Sequence, residues 1–270
     1  MKRLPLALSA VALSAGSALA ADLPARTHTK APQPVVVAPS WTGFYVFGGA
    51  GGGFWDADNG ASGVNNKGIS SVARDTRVGG HGVFGTVGAG YDWQFAGPWI
   101  TGVFADGMFG SLNGSITDAT FDNPFEGAEK LRSTWAVGAR AGYLVAPNVL
   151  SYVNAGYTGS EWSDANLTSL LGKSNTLSTP SFHRDGWFVG GGVENSLSFF
   201  GISAPGWNMK TEYRTAYFGR ATLPESSQGA PAGINATFKP WVQTISTSLV
   251  YRFNSDGLPS GSEVVLRDRI

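Results

Sequence analysis

The side chains best able to do chemistry are few in this sequence. Histidine occurs three times, at His28, His81 and His183. His183 has Ser181 and Asp185 close by in the chain, and a Ser, a His and an Asp on one rim could form a hydrolase site. No recognised motif surrounds them and a polar rim accounts for all three, so no catalytic residue is assigned and no enzyme is expected. Asp56 and Asp58, followed by Asn59-Gly60, faintly resemble a calcium loop, but Asp-Asn-Gly is ordinarily a turn. Cysteine is absent and the histidines do not cluster, so neither a metal nor a cofactor is expected. The run Gly48-Gly49-Ala50-Gly51-Gly52-Gly53 lacks a P-loop lysine and a following helix, which removes a nucleotide loop. What remains is a set of charges, and their meaning depends on the elements that place them.

The start of the chain reads as an export signal. Lys2 and Arg3 precede a short apolar stretch from Leu4 to Leu13, and Ala18-Leu19-Ala20 supplies a small-x-small cleavage pattern. A signal peptide over residues 1–20, cut between Ala20 and Ala21, is the expectation. Beyond it no stretch approaches the ~18 apolar residues of a membrane helix. The 19 Lys+Arg balance 19 Asp+Glu, so no field for a polyanion exists and no nucleic-acid partner is expected. Only 14% of residues are charged, against roughly a quarter in soluble domains. With 9 Trp, 16 Phe and 8 Tyr in a glycine-rich chain, much of the surface must be neither charged nor wet.

Residues 21–40 hold Pro24, Pro32, Pro34 and Pro39 and read as an extended leader outside the fold. From Trp41 on, period-two alternation recurs in segments long enough to cross a bilayer as tilted strands. Strands are expected near 43–54, 78–94, 99–111, 131–145, 149–162, 183–199, 207–218 and 241–253, with no helix. Their connections alternate in length. Trp55–Arg77, Leu112–Lys130, Ser163–Phe182 and Gly219–Lys239 are long; Phe95–Pro98, Ala146-Pro147-Asn148 and Phe200–Gly206 are short. Short periplasmic turns, long outer loops and an even strand count are the marks of a transmembrane barrel. The expected fold is therefore all-β, an eight-stranded antiparallel up-and-down transmembrane β-barrel over 41–253, with a short tail at 254–270.

Sidedness agrees. In 207–218, Trp207, Met209, Tyr213 and Tyr217 share one face and Asn208, Lys210, Glu212 and Arg214 the other. Tyr91, Trp93, Trp99, Tyr143, Trp207, Tyr251 and Phe253 fall beside the short turns, as an aromatic girdle at a membrane interface would. The inward face collects Asp92, Asp106, Glu194 and Glu212 with Arg132, Arg140, Arg184, Lys210, Arg214 and Arg252, six cations against four anions. Inward glycines such as Gly88, Gly90, Gly138, Gly142, Gly190 and Gly192 leave room for them in a narrow interior. If Phe199 lies opposite Trp207, Glu194 faces Glu212 with Lys210 and Arg214 on the diagonals. A two-residue slip would change the partners and keep all four groups inside.

The phrases Trp41-Thr42-Gly43-Phe44-Tyr45-Val46, Gly90-Tyr91-Asp92-Trp93-Gln94 and Leu249-Val250-Tyr251-Arg252-Phe253 resemble one known group. It is the small outer-membrane proteins of alphaproteobacteria, in the porin-like and opacity-like barrel superfamily with the OmpA-type eight-stranded fold. The resemblance implies a Gram-negative outer-membrane location and insertion by the barrel-assembly machinery. Ser246–Phe253 is similar to that family's terminal recognition strand, although Ser248 replaces the usual glycine and 17 residues follow Phe253. Two functions stay open. One is a structural and surface-interaction protein whose outer loops meet lipid, lipopolysaccharide or cell-surface ligands. The other is a small-solute porin with a narrow, weakly anion-preferring passage.

Overall fold

The computed structural model describes residues 40–65, 68–71, 76–118, 124–171 and 176–253. The expected signal peptide with Ala20 and Ala21, the expected leader as far as residue 39 and the tail after Phe253 lie outside the described residues. Twelve strands follow in order: β1 (Gly43–Asn65), β2 (Gly68–Ser71), β3 (Thr76–Phe95), β4 (Trp99–Asp118), β5 (Phe125–Ala146), β6 (Val149–Trp162), β7 (Ala165–Ser169), β8 (Thr176–Thr179), β9 (Phe182–Ser196), β10 (Trp207–Phe218), β11 (Ala221–Ser227) and β12 (Ala230–Arg252). A single 3₁₀ turn, Leu197–Phe200, precedes the β9–β10 connection.

Eight strands close on themselves. The order β1-β3-β4-β5-β6-β9-β10-β12 is antiparallel throughout, and β12 returns to β1 from Tyr45↔Arg252 to Gly63↔Ile234. Closure satisfies the edges of these eight strands without a covering element, which is the condition for strands to live in lipid. The short turns and the outer ends of β1 and β12 share one end, where the Phe253 amide donates to the Phe44 carbonyl at 2.8 Å.

At the opposite end the structure departs from the expected loops. β1 runs on to Asn65, β4 to Asp118, and β5 starts at Phe125. β7, β8 and β11 continue β6, β9 and β10 after short breaks, and β5 pairs with β7, β7 with β8, β8 with β11 and β11 with β12. A second closed tier of eight strands thus stands on the first. Its alternation escaped notice because its sidedness is reversed: Trp55, Ala57 and Ala61 are buried while Asp58 is exposed. A strand with water outside must keep its apolar side chains within.

One strand changes face midway. In β5 the buried positions are even from Ala136 to Gly142 and odd at Phe125, Glu129 and Leu131. The registers with β4 and β6 both slip between Leu131 and Ser133. A residue added at a bulge reverses all inward and outward positions beyond it.

Side chains fill most of the interior, leaving a cavity of about 30 Å3 bordered by Met108, Leu112, Arg214 and Phe218. Near the short turns Trp41, Ile100, Leu150 and Tyr152 pack together. In the far tier Trp55, Trp162, Phe182 and Phe238 form an aromatic knot, with Trp162 in contact with the other three rings at 5.1 to 5.9 Å between centroids. Between the two apolar fillings lie the charges. The inward glycines give space to rings as well as to charges: a Cβ at Gly90 would collide with Tyr45, and one at Gly138 would meet Phe188 at 2.8 Å.

Candidate functional site

Alternation on β3, β5, β9 and β12 sends Asp92, Arg140, Glu194 and Arg252 to one level of the interior. Arg140 grips Asp92 with Nε at 2.9 Å and Nη2 at 2.5 Å, and reaches Glu194 with Nη1 at 3.2 Å. Arg252 mirrors it, with Nε and Nη2 on Glu194 at 2.7 and 3.0 Å and Nη1 on Asp92 at 2.8 Å. Two guanidiniums and two carboxylates therefore alternate in a square, and Asn208 donates to Glu194 at 3.0 Å. Tyr45 lies under both cations, 4.4 Å from Arg140 and 5.0 Å from Arg252, and Trp41 lies 4.5 Å from Arg252.

A second layer stands above the first. Arg214 holds Asp106 through two parallel bonds at 3.0 and 2.8 Å and Glu212 at 2.7 Å. Tyr152 and Asn154 donate to the other Glu212 oxygen at 2.8 and 2.9 Å, and Lys210 lies 3.8 Å from it, its ammonium 3.4 Å from the Phe47 ring centre. Tyr152 joins the layers, since its ring also faces Arg140 at 5.1 Å. Forked Arg–carboxylate bonds fix geometry as well as charge.

Register explains which expected contacts are absent. Lys210, not Glu212, lies opposite Glu194, and Glu212 lies opposite Gly192. The two-residue slip follows from the 3₁₀ turn, which takes Leu197–Phe200 out of the strand and ends it at Ser196.

Two of the ten expected lumen charges stand apart from these layers, and one of them leaves the interior. The β5 bulge turns Arg132 outward, where its side chain is 51% exposed and 3.6 Å from Asp164. Arg184 keeps its inward parity at the top of β9, half-buried above both charge layers. Its guanidinium lies 5.9 Å from the Phe182 ring and donates to the His183 carbonyl at 3.1 Å, and no ion pair joins it to a carboxylate among the described residues. Within the two layers the six-to-four excess of cations becomes four against four: Arg140, Lys210, Arg214 and Arg252 with Asp92, Asp106, Glu194 and Glu212.

Outside, Tyr91, Trp93, Trp99, Tyr143, Trp207, Tyr251 and Phe253 ring the short-turn end. Their rings touch in sets, Trp99 with Tyr143 at 5.1 Å and Trp207 with Tyr251 at 5.1 Å. A second ladder was missed. Trp135, Tyr157, Trp187, Tyr217 and Trp241 face outward on β5, β6, β9, β10 and β12, with Trp187–Tyr217 stacked at 4.6 Å and Tyr217–Trp241 at 5.8 Å. Ten-residue intervals (Trp207 to Tyr217, Trp241 to Tyr251) separate the two levels, about 33 Å along a strand and about 25 Å once tilted, the height of a lipid-facing band. The repeat of aromatics ten residues apart was the available signal.

Other candidates do not assemble. Ser181, His183 and Asp185 are exposed and no hydrogen bond links their side chains among the described residues. Asp56, Asp58 and Asn59 lie within β1 and not on a turn. Asn59 points inward, donating to the Thr117 carbonyl at 3.1 Å, so the three cannot share an ion. No group of three acidic or imidazole side chains fit for a metal occurs among the described residues.

Comparisons with known proteins agree with this architecture. A family model described as outer membrane protein beta-barrel domain matches residues 7–253. The 31 kDa outer-membrane immunogenic proteins of Brucella melitensis and Brucella suis are each 30% identical over 221 residues, 80% of this chain and 87% of theirs. The crystal structure of the outer membrane protein OprG from Pseudomonas aeruginosa, 12% identical, superimposes with a TM-score of 0.50 over 80% of this chain and 99% of that one, a likeness of fold.

Proposed function

The chain belongs to the outer-membrane protein β-barrel family of the Gram-negative outer membrane, and on that premise we propose that it is a closed, non-catalytic barrel with a structural and surface-interaction role. The observation that carries this reading is the balanced double layer of charge. All eight side chains are at most 8% exposed, and each is held by an opposite charge from another strand or the same one. Opening a path between them means separating buried partners, which costs several kcal/mol per charge. Eight strands enclose little more than the side chains themselves, whereas water-filled porins use about 16–18. Equal numbers of the two signs within the layers also remove the basis for an anion preference there.

Short turns belong in the periplasm and the extended tier outside. In that orientation the far tier is a rigid pedestal for surface contacts with lipopolysaccharide or other cells, and the description of the Brucella relatives as immunogenic agrees with display at the surface. Ser246–Phe253 lies on β12 at the seam with β1, a fitting place for the strand that the barrel-assembly machinery reads.

Planar-bilayer recording of the refolded chain tests the reading. The expected result is a silent membrane broken only by rare, brief events. A large and steady open state overturns it in favour of the porin.

A further inference from the structure

Where the lipid-facing surface gives way to the polar one, a cleft of about 160 Å3 opens beside β10, β12, β1 and β3. Its floor is aromatic. Tyr217 and Trp241 are neighbours in register and lie parallel, 5° apart, and Trp241 Nε1 donates to Thr215 Oγ1 at 2.5 Å, which fixes the indole. Its rim is charged. Lys239 on β12, Asp58 on β1 and Arg77 on β3 form one cross-strand row, and Asp56 lies opposite Trp241 in the row below.

The three charges of that row are in register with opposite signs side by side, yet no ion pair within 4.0 Å joins Lys239, Asp58 and Arg77. Directly opposed charges on a sheet ordinarily engage. Pro240 contributes to the gap: it carries no amide hydrogen, and β10 ends at Phe218 beside it, so the wall is interrupted between β10 and β11.

We infer that this cleft binds the phosphorylated amino-sugar headgroup of an outer-leaflet glycolipid, with phosphate on Arg77 and Lys239 and the sugar face on Tyr217 and Trp241. The inference rests on the outward placement of the far tier. Each chemical feature has a use in such a ligand. Arg presents a planar fork to phosphate and Lys a point charge. Aromatic side chains with an apolar body and a polar tip belong at the headgroup level. Asp56 and Asp58 accept from sugar hydroxyl or amide groups. A purely anionic lipid would be repelled by those two carboxylates, so their presence selects for a headgroup that also donates hydrogen bonds. The lipid acyl chains then run down the outer wall below Trp241, along Ile245 and Leu249, which are 57% and 50% exposed.

The test uses the full chain in detergent and native mass spectrometry with three probes: diphosphoryl lipid A, monophosphoryl lipid A and phosphatidylglycerol. Wild type should retain them in that order. The Arg77→Gln/Lys239→Gln pair should lose roughly tenfold or more in lipid A retention, the size of about one charge-assisted contact, and no longer distinguish the two lipid A forms. Lys239→Arg on the Arg77-intact chain should keep binding, and Arg132→Gln, an outward cation away from the cleft, should leave it unchanged. Equal capture by wild type and the double variant overturns the site. So does equal loss with Arg132→Gln, or phosphatidylglycerol bound as well as lipid A. Orientation is read separately by maleimide labelling of Gln228→Cys on intact cells: silence there overturns the outward placement, whatever the lipid result.

Discussion

The two tiers use the same strands with opposite sidedness. Below the upper aromatic ladder, large apolar groups such as Val83, Val153 and Ile245 face out and the charges face in. Above it, Trp55, Trp162 and Phe238 face in and Asp58, Arg77 and Lys239 face out. On β1 and β12 the chain passes from one regime to the other without a break, Trp55 lying opposite Val242 and Asp58 opposite Lys239. What changes is the solvent. In hydrocarbon the hydrophobic effect no longer sorts side chains inward, so the interior can hold ion pairs; in water it does, and the interior becomes a core. β5 changes register between the regimes, and its bulge moves Arg132 outside and Glu129 inside.

The largest expected effect comes from breaking the lower tier. Glu194 is fully buried and accepts from Arg140, Arg252 and Asn208. Glu194→Ala leaves two guanidiniums short of a partner and should cost about 3–5 kcal/mol, read as a lower urea midpoint of the heat-modifiable folded band. Ion leak in planar bilayers should rise with it. An unchanged midpoint and leak would mean that the layer is already hydrated, and the contrast between the tiers would lose its basis.

Trp162→Ala breaks the upper tier. The side chain is fully buried among Trp55, Phe182 and Phe238. A loss of roughly 3–5 kcal/mol is expected locally, with protease sensitivity appearing in β7, β8 and β11. The lower ring should keep its midpoint within about 0.5 kcal/mol if the tiers open as separate cooperative units. A midpoint lowered as much as by Glu194→Ala would show that the tiers unfold as one.

The smallest effect is a pH slope. Glu129 is buried in the upper tier, and burial, reinforced by Asp164 and opposed by its Lys130 amide and Arg132, pushes its carboxyl from 4.5 to about 8. The unfolded chain releases this proton near 4.5 and the folded chain only near 8, so the tier should lose stability as pH rises between those values. Glu129→Gln should flatten the dependence of upper-tier protease resistance on pH across that window. An identical slope in the variant would assign the dependence to another group.

The eight-strand ring was legible because two signals reinforced each other. Alternation in 207–218 and 241–253 marked Lys210, Glu212, Arg214 and Arg252 as inward, and the Pro147 and Gly97 turns set the antiparallel neighbours. Tyr45, Phe47 and Tyr152 share that inward parity without being flagged by it, since aromatic side chains carry no charge that marks them. The upper tier is not legible as strand from the sequence, because an apolar residue every second position means a lipid-facing strand in one medium and a core-facing strand in the other.

By itself, the sequence determined an all-β fold and the face on which each regular strand carries its charges. Those follow from local periodicity, which is a property of the extended backbone. Only the tertiary structure decided which charge meets which: Arg140 and Arg252 span from β5 and β12 to Asp92 and Glu194 on β3 and β9. Partner choice depends on register, and register is set by a 3₁₀ turn after Ser196 and a bulge near Arg132. One residue gained or lost at either place changes every contact beyond it, and nothing in the period of two records that count.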